Sequence, residues 1–452
     1  MTIRTRRLWG HSGDLSSAPA CHLGRRSLSQ LDNQRLRDDI QAMIETAQTS
    51  PRDLIVLGGG LVGMTLALAA ARAGLTSHVV ERASPEMLTA PGADGRASAI
   101  STASWNLLTN IGLADRLEPL GCAISSIAVT DGMRPGRIDF TPGADDGSLG
   151  RMFDNRDLRL ALFEAARGEP AIAWHTGAEV VSRERGPFGA SVTLADGQTL
   201  RSSLLIAAEG RQSPTRREAN FALARWQYRH SAVVTAITHE KPHDNVAWEI
   251  FYPDGPFALL PLRDDAEGRH RSALVWTAPS REAPGIVKLP ARAFAEEAER
   301  KMDRLFGKVT LAAPRMSYPL SFHHSGKLTG ERLVLVGDAA HGMHPIAGQG
   351  LNLGMRDVGT LVEVLKDGAR LGLEPGDAQL LSRYENWRGL DTLMVMSVTD
   401  GLNRLFGIPG KGASAARRLG MGAVQRLDVV KQFFMDEARG MSGDLPALLK
   451  AG

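Results

Sequence analysis

Apolar and polar positions change their period several times along this chain, and each change marks an element. Residues 54 to 57 form a short apolar run of strand length, residues 61 to 73 are small and apolar in the manner of a buried helix, and residues 77 to 80 make a second strand that ends at Glu81. Gly74 supplies the helix stop. Strand, glycine turn, helix and strand in that order predict a βαβ unit. Residues 54 to 71 contain only Thr65 as a polar residue, so a hydropathy window alone proposes a membrane span. Gly58, Gly59 and Gly60 argue against it, because three glycines weaken a helix at its middle.

A loop rich in Pro, Gly and Ala at 87 to 95 leads to a helix at 103 to 108 and strands at 124 to 129 and 137 to 140. A helix at 156 to 167 and strands at 171 to 174 and 180 to 183 follow. Asp196-Gly197, between apolar runs at 191 to 194 and 199 to 201, signals a hairpin, and 204 to 208 reads as a buried strand. From 216 to 320 short strands predominate, at 233 to 238, 248 to 252, 257 to 261 and 272 to 277, with one helix at 291 to 305. A strand at 333 to 336 closes the parallel sheet, and helices at 351 to 365 and 380 to 406 end the pattern.

At 452 residues the chain exceeds one ordinary core, which predicts two closely packed domains and room to enclose an extended ligand. With 43% hydrophobic and 23% charged residues and a net charge of +3 over mixed signs, it has no basic tract for nucleic acid. Cys21 and Cys122 stand far apart without ligand spacing, which argues against disulfides and structural zinc and for a reducing, cytoplasmic setting. The first fifty residues are rich in arginine and lack a signal-peptide core. A disordered extension, a transit peptide and a start codon placed too early, with Met43 as the true first residue, are the three readings. Asp14, Asp32, Asp38 and Asp39 suit a transit peptide badly, which favours the last.

Gly58, Gly60 and Gly63 give a G-x-G-x-x-G pattern at the predicted strand-to-helix turn. Missing side chains there let the backbone approach a pyrophosphate, while the helix N-terminus presents unpaired N–H groups. Alone, the pattern also suits an ordinary tight turn. Glu81 changes that, because a carboxylate about 20 residues on can accept hydrogen bonds from an adenosine ribose. The candidate contacts of this segment are Gly58, Gly60, Leu61, Val62, Gly63, Glu81 and Arg82.

A second segment, residues 333 to 352 (LVLVGDAAHGMHPIAGQGLN), puts Asp338 directly after an apolar strand, where open α/β sheets bind ligands. Its oxygens can accept from ribitol hydroxyls. A cap on Ala339 and Ala340 is the alternative, and the two roles are compatible. Gly348, Gly350 and Asn352 begin a helix whose amides can face the pyrimidine end of a flavin and stabilise the negative charge that develops there. Gly337, Asp338, Pro345, Gly348, Gln349, Gly350, Leu351 and Asn352 are the candidate contacts. His341 and His344 lack a carboxylate or cysteine at matching spacing, so no metal is expected.

The run GDAAHGMHPIAGQGLNLGMRD at 337 to 357, with GGGLVG at 58 to 63, RASAIS at 96 to 101 and AEGRQSPTR at 208 to 216, resembles the class A flavoprotein monooxygenases. FALLPL at 257 to 262, Tyr318-Pro319-Leu320, and Tyr384-Glu385 with Arg388 are similar to the ubiquinone-biosynthesis hydroxylases of the 2-octaprenyl-6-methoxyphenol hydroxylase type, relatives of 4-hydroxybenzoate hydroxylase. The resemblance covers roughly residues 52 to 445. It implies an α/β fold: an FAD-binding Rossmann-like (GR2-type) parallel sheet domain with an inserted antiparallel β-sheet substrate domain and a helical C-terminal region. The expected division is an extension at 1–50, FAD-binding parts at 51–120, 151–215 and 326–375, substrate-domain parts at 121–150 and 216–325, and a helical region at 376–452.

The resemblance also implies an FAD reduced by transiently bound NAD(P)H, reaction with O2 to a flavin C4a-hydroperoxide, and hydroxylation of a phenol ring carrying a polyprenyl tail. The protein must then exclude water and hold the ring near the reactive oxygen. By matching position, Arg96 and Arg156 contact FAD phosphate or ribitol, and the family's Asp-Gly falls on Glu209-Gly210. The added methylene changes the reach of Glu209, so Gly210 is the candidate contact and Glu209 keeps the alternative of a strand-end carboxylate bonded locally. No second glycine-rich βαβ unit serves a nicotinamide nucleotide, in keeping with transient binding. No catalytic residue beyond the flavin is identified. Phe251, Phe257, Leu259 and Leu260 can line a ring pocket or serve as plain core. Residues 390 to 406 and Phe433-Phe434-Met435 suit core, a subunit contact, or an entrance for a lipid tail at the inner face of the membrane, helped by Arg417 and Arg418. Partners within a ubiquinone-biosynthesis complex accord with the resemblance. Rival readings are a flavin oxidase or isoprenoid reductase of related fold, and a flavin-binding scaffold.

Overall fold

The computed structural model describes residues 50–90, 95–133, 136–143, 147–343, 348–406 and 427–452. The expectations for residues 1–49, His344, Pro345, Arg417 and Arg418 lie outside the described residues.

In chain order the main elements begin with β1 (Arg52–Leu57), α1 (Leu61–Arg72), β2 (Ser77–Glu81), β3 (Ala97–Ser101), α2 (Thr102–Asn110), β4 (Cys122–Ile124), β5 (Ser126–Asp131), β6 (Arg137–Phe140), β7 (Gly150–Asp154) and α3 (Asn155–Arg167). They continue with β8 (Ile172–Thr176), β9 (Val180–Gly186), β10 (Gly189–Leu194), β11 (Thr199–Ala207), α4 (Pro214–Glu218), β12 (Leu223–His239), β13 (Val246–Tyr252), β14 (Gly255–Leu262) and β15 (His270–Pro279). The last are α5 (Ala291–Lys301), β16 (Val309–Leu311), β17 (Met316–Ser325), β18 (Thr329–Gly330), β19 (Leu333–Leu335), β20 (His341–Gly342), α6 (Gln349–Arg370), α7 (Ala378–Phe406) and α8 (Asp428–Arg439). Within the stretch expected to be a loop at 87 to 95, residues 87 to 89 belong to a short helix, Pro85–Thr89, whose first turn Ser84 caps.

Five strands run parallel in the order β8-β2-β1-β11-β19. Leu54, Ile55, Val56 and Leu57 are buried on both faces of this sheet, which is why they read as a continuous apolar run rather than an alternation. The apolar stretch from 54 to 71 is thus a strand, a turn and the small-residue helix α1, and no helix among the described residues is long and apolar enough to cross a membrane. The sequence predicted separate strands at 199 to 201 and 204 to 208. They are one strand, β11. The polar Arg201-Ser202-Ser203 is where it passes from the β9-β10 hairpin into the parallel core, and Ser202 pairs with Ala190 on one side and Arg52 on the other.

The second large sheet runs β20-β17-β12-β15-β14-β13-β5-β6, with β16 also on β12. Helix α5 covers one face through Phe294, over Phe257, Leu259, Leu274 and Trp276. The strand predicted at 124 to 129 divides at Ser125, whose amide bonds Asn245. β4 joins β3 and β7 in a small three-stranded sheet, and β5 joins the large one. β12 begins ten residues before the strand predicted at 233. Its outer part pairs only with β17 and is exposed from Ala224 to Gln227, so no alternation announces it, and Trp226 stacks on Phe322 instead.

Candidate active site

An open cleft of about 2240 Å³ lies against both large sheets, well above the ~300–1,000 Å³ of ordinary small-ligand pockets. Its lining falls into three groups. The glycine turn contributes Gly58, Gly60, Leu61, Val62 and Glu81. Arg96, Gly210, Arg211, Asp338, Gly348, Gly350 and Leu351 form the second group, and an apolar face of the large sheet forms the third.

The glycine turn is a close approach of backbone to backbone. Gly58 has φ +103°, and a Cβ on it would lie 2.5 Å from the Ala208 carbonyl oxygen. A Cβ on Gly63 would lie 1.9 Å from the Gly58 carbonyl oxygen. Gly60, the N-cap of α1, faces open space, and α1 has neither a side-chain cap nor an acidic residue in its first turn. Its first N–H groups are therefore offered to an anion. Glu81 accepts from the Gly59 amide at 2.7 Å and the Ala83 amide at 2.8 Å, which fixes the carboxylate beside the turn with lone pairs to spare. Arg82 is exposed and outside the cleft lining.

Asp338 does not cap its turn. Its carboxylate meets Arg211 Nε at 3.0 Å, and the Arg211 guanidinium also reaches the Ser321 hydroxyl at 3.3 Å. Arg211 and Asp338 are 43% and 41% exposed, so this pair is worth ~0–1 kcal/mol and a ligand hydroxyl or phosphate can take over either group. Arg216, nearly buried, holds the turn by donating to the Ala339 and Arg211 carbonyls, each at 2.7 Å. Glu209 turns back on its own segment: it accepts from the Ser213 hydroxyl at 2.6 Å and the Thr215 amide at 3.2 Å and pairs with Arg183. Gly210 lines the cleft with φ +78°. Arg96 lies over the Tyr318 ring within the cleft, whereas Arg156 pairs with Asp157 outside the lining.

Helix α6 starts at Gly348 in the left-handed conformation, φ +64°, without a side-chain cap or an acid in its first turn. Nothing stands within 4 Å of a Cβ on Gly350, which faces the cleft. Asn352 clamps this terminus to β3. Its carbonyl accepts from the Ser101 amide at 2.9 Å, and its amide donates to the carbonyls of Ala99 at 3.0 Å and Gly348 at 3.1 Å. Gln349 is buried and reaches the Ala438 carbonyl of α8.

Behind the lining, Asp357 is fully buried and binds three groups: the Gly337 amide at 2.8 Å, His341 Nε2 at 2.7 Å and Arg388 Nε at 2.7 Å. Arg388 also binds Asp391, which Arg356 meets at 2.9 Å. Burial alone would raise the Asp357 carboxyl, but His341 and Arg388 outweigh it and hold it at about 2. Arg211 and Arg216 lie inside the AEGRQSPTR segment, yet no spacing marked them as partners of the Asp338 turn. Phe257 and Leu259 belong to the α5-covered core, while Phe251 and Leu260 line the cleft.

The FAD binding domain family model matches residues 52–392. A ubiquinone hydroxylase, UbiL, from Rhodospirillum rubrum is 42% identical over 388 residues, 86% of this chain and 89% of that protein. The 3-demethoxyubiquinol 3-hydroxylase of Escherichia coli is 32% identical over 394 residues, 86% of this chain and 99% of that protein. The solved structure of p-nitrophenol 4-monooxygenase from Pseudomonas putida matches with a TM-score of 0.72 at 18% identity, over 87% of this chain and 100% of that one, a likeness of fold.

Asp357→Asn leaves Arg388 facing a neutral group and is expected to lose about 3–5 kcal/mol in denaturant unfolding at neutral pH. The wild-type carboxylate has a folded pKa below its ordinary ~3.9, so its contribution is present above about pH 4 and is lost as pH falls through 2. The gap in stability between the two proteins therefore narrows over that acid window, and a gap that stays constant to pH 2 would contradict the assignment.

Proposed function

This chain belongs to the FAD binding domain family, and from that premise we propose that it is an FAD-dependent monooxygenase that uses NAD(P)H and O2 to hydroxylate a polyprenylated phenol in ubiquinone biosynthesis. The observation that carries the reading is one cleft joining two uncapped helix termini, the Asp338 turn and an apolar sheet face. When bound, FAD would supply the redox chemistry that links NAD(P)H to O2. The similarity to a ubiquinone hydroxylase and to a 3-demethoxyubiquinol 3-hydroxylase supports the quinone-pathway substrate class.

The residues fit the cofactor. Gly58, Gly60, Leu61, Val62 and Gly63 would admit the pyrophosphate to the α1 terminus, and Glu81 would take the ribose. Asp338 and Arg96 would hold the ribitol and phosphate, and Gly348, Gly350 and Leu351 at the α6 terminus would face the flavin's pyrimidine edge. The positive end of that helix favours the negative charge reduction creates. The separation of the strands into two large sheets supports assigning 51–120, 151–215 and 326–375 to the flavin and 121–150 and 216–325 to the substrate.

A route for the lipid tail is part of the proposal. In α8, Phe434 and Ala438 line the cleft, with Phe434 edge-on to Phe140, while Val429 and Phe433 are exposed. Leu390, Leu393 and Met394 of α7 are exposed as well. These apolar groups would pass the tail to the inner face of a membrane, where pathway partners can receive the product.

With purified holoenzyme, a prenylated phenol is expected to stimulate NAD(P)H oxidation and to yield one hydroxylated product per NAD(P)H and O2 consumed. Turnover without oxygen would assign the flavin to a reductase instead. Gly350→Trp sets its side chain where a Cβ meets no protein atom and the cleft begins, so it should melt like flavin-free wild type and purify without flavin; full flavin occupancy would remove the α6 terminus from the site. Replacing Val429 and Phe433 together by Glu should reduce flotation with anionic vesicles several-fold, and undiminished flotation would refute the tail route.

A further inference from the structure

Strand β13 sends alternate side chains to opposite faces of the large sheet. Ile250 and Tyr252 pack with the core beneath α5, whereas Ala247, Glu249 and Phe251 line the cleft. Glu249 stands opposite Val129 of β5 and Ala258 of β14, and Ala258 stands opposite Val275 of β15; all three neighbours line the same cleft. A carboxyl therefore rises from an apolar floor. Among the described residues, no hydrogen bond or ion pair engages its side chain. β14 carries no ionisable residue, β5 carries Asp131 opposite Phe251, and on β6 Arg137 and Asp139 pair with each other, Arg137 lying over the Trp248 ring. The cleft lining also carries Arg96, which engages Tyr318, and Arg211, Arg216, Arg217 and Arg225, none of which pairs with Glu249. Glu249 is part-buried at the cleft wall, and with no cation paired to it the desolvation by its apolar surroundings pushes the carboxyl up to about 7.

A carboxyl without a partner on an apolar surface costs folding energy and has no structural return, which is the signature of a group kept for a ligand. We infer that Glu249 accepts the hydrogen bond of the substrate's phenol hydroxyl and takes its proton as the ring is hydroxylated. This deepens the proposed hydroxylase reading and rests on it. The phenol O–H bond breaks, and its electron pair enters the ring. A ring carbon then forms the new C–O bond with one oxygen atom derived from O2 as the O–O bond breaks, the same carbon loses its hydrogen as a proton, and aromaticity returns while the original phenol oxygen regains a proton from solvent. NAD(P)H supplies the two electrons, the other oxygen atom leaves as water, and Glu249 returns its proton to solvent through the open cleft. A free phenol ionises near ~10, so at neutral pH it reaches the site with its proton in place and needs a base that is charged there.

The test is binding and turnover of 2-prenylphenol by oxidised and cycling holoenzyme. Wild-type affinity, read from the perturbation of flavin absorbance, should rise as pH increases through about 7, when the acceptor becomes charged. Glu249→Gln should bind at least about tenfold more weakly at pH 8 with a flat pH profile, and its kcat/KM for hydroxylated product should fall by about 10²–10⁴ without the acid limb. Glu249→Asp should restore part of both. Flavin content reports that each variant is folded. If Glu249→Gln keeps wild-type affinity and the wild-type acid limb, or if the wild type binds no phenol at any pH, the inference is overturned. If Glu249-dependent binding occurs but the wild type makes no hydroxylated product, the hydroxylase reading fails while the phenol contact stands.

Discussion

The buried carboxylate of Asp357 is the constraint on which the site depends. It lies on α6 yet binds the Gly337 amide, His341 and Arg388 of α7, so one side chain ties the turn after β19 to two helices. A charge in a low-dielectric interior is tolerated only when its lone pairs are used, and here three donors use them. The consequence is geometric more than energetic. A buried ion pair repays little beyond its own desolvation, but it admits few alternative arrangements. The Asp338 turn and the α6 terminus are thereby held to the same frame.

From that frame the cradle can be built almost without side chains. Gly63 lets α1 close on the Gly58 carbonyl, Gly348 lets α6 begin against Ala99, and Asn352 sews that start to β3 through the Ser101 amide and the Ala99 carbonyl while also holding the Gly348 carbonyl. What faces the cleft is then amide and helix end, which bind anions through a positive potential with little reorganisation. Rigid groups stand behind the lining and unencumbered ones in it. Flexible side chains in the same positions would fill the space that an extended cofactor needs.

The legible parts of the sequence were those whose signal is local. β1, α1 and β2 were readable because a doubly covered parallel strand must be apolar throughout and a glycine turn must follow it. The α/β class and the helical end followed from periodicity. β11 was read as two strands because Arg201-Ser202-Ser203 mimics a loop, although those residues only mark a change of partners. The outer end of β12 escaped notice because an exposed ribbon has no alternation. At the site, the glycines and Asp338 were visible as motif residues, whereas Asp357 and Arg388 were not paired, since 31 positions separate them and only the packing of α6 on α7 brings them together. Glu249 left one faint trace: Ala247, Glu249 and Phe251 share a strand face, and a carboxyl between two apolar residues on that face is anomalous.

Two acid–arginine pairs in this protein show how burial alone divides structure from function. Asp357 and Arg388 are sealed from water, and removing one partner strands the other. Asp338 and Arg211 have the same chemistry at nearly the same distance, but both remain about two-fifths exposed, so water already competes for them. A ligand that enters the cleft meets no deep electrostatic well there and can exchange partners at little cost. The apolar sheet face opposite them is the complement: with few polar groups to compete, a single carboxyl on it can dominate the recognition of a hydroxyl. The cleft thus holds charge that yields beside the glycine cradle and one lone carboxyl on the apolar face, which suits a molecule that must bind a polar cofactor and a mostly apolar substrate in one space.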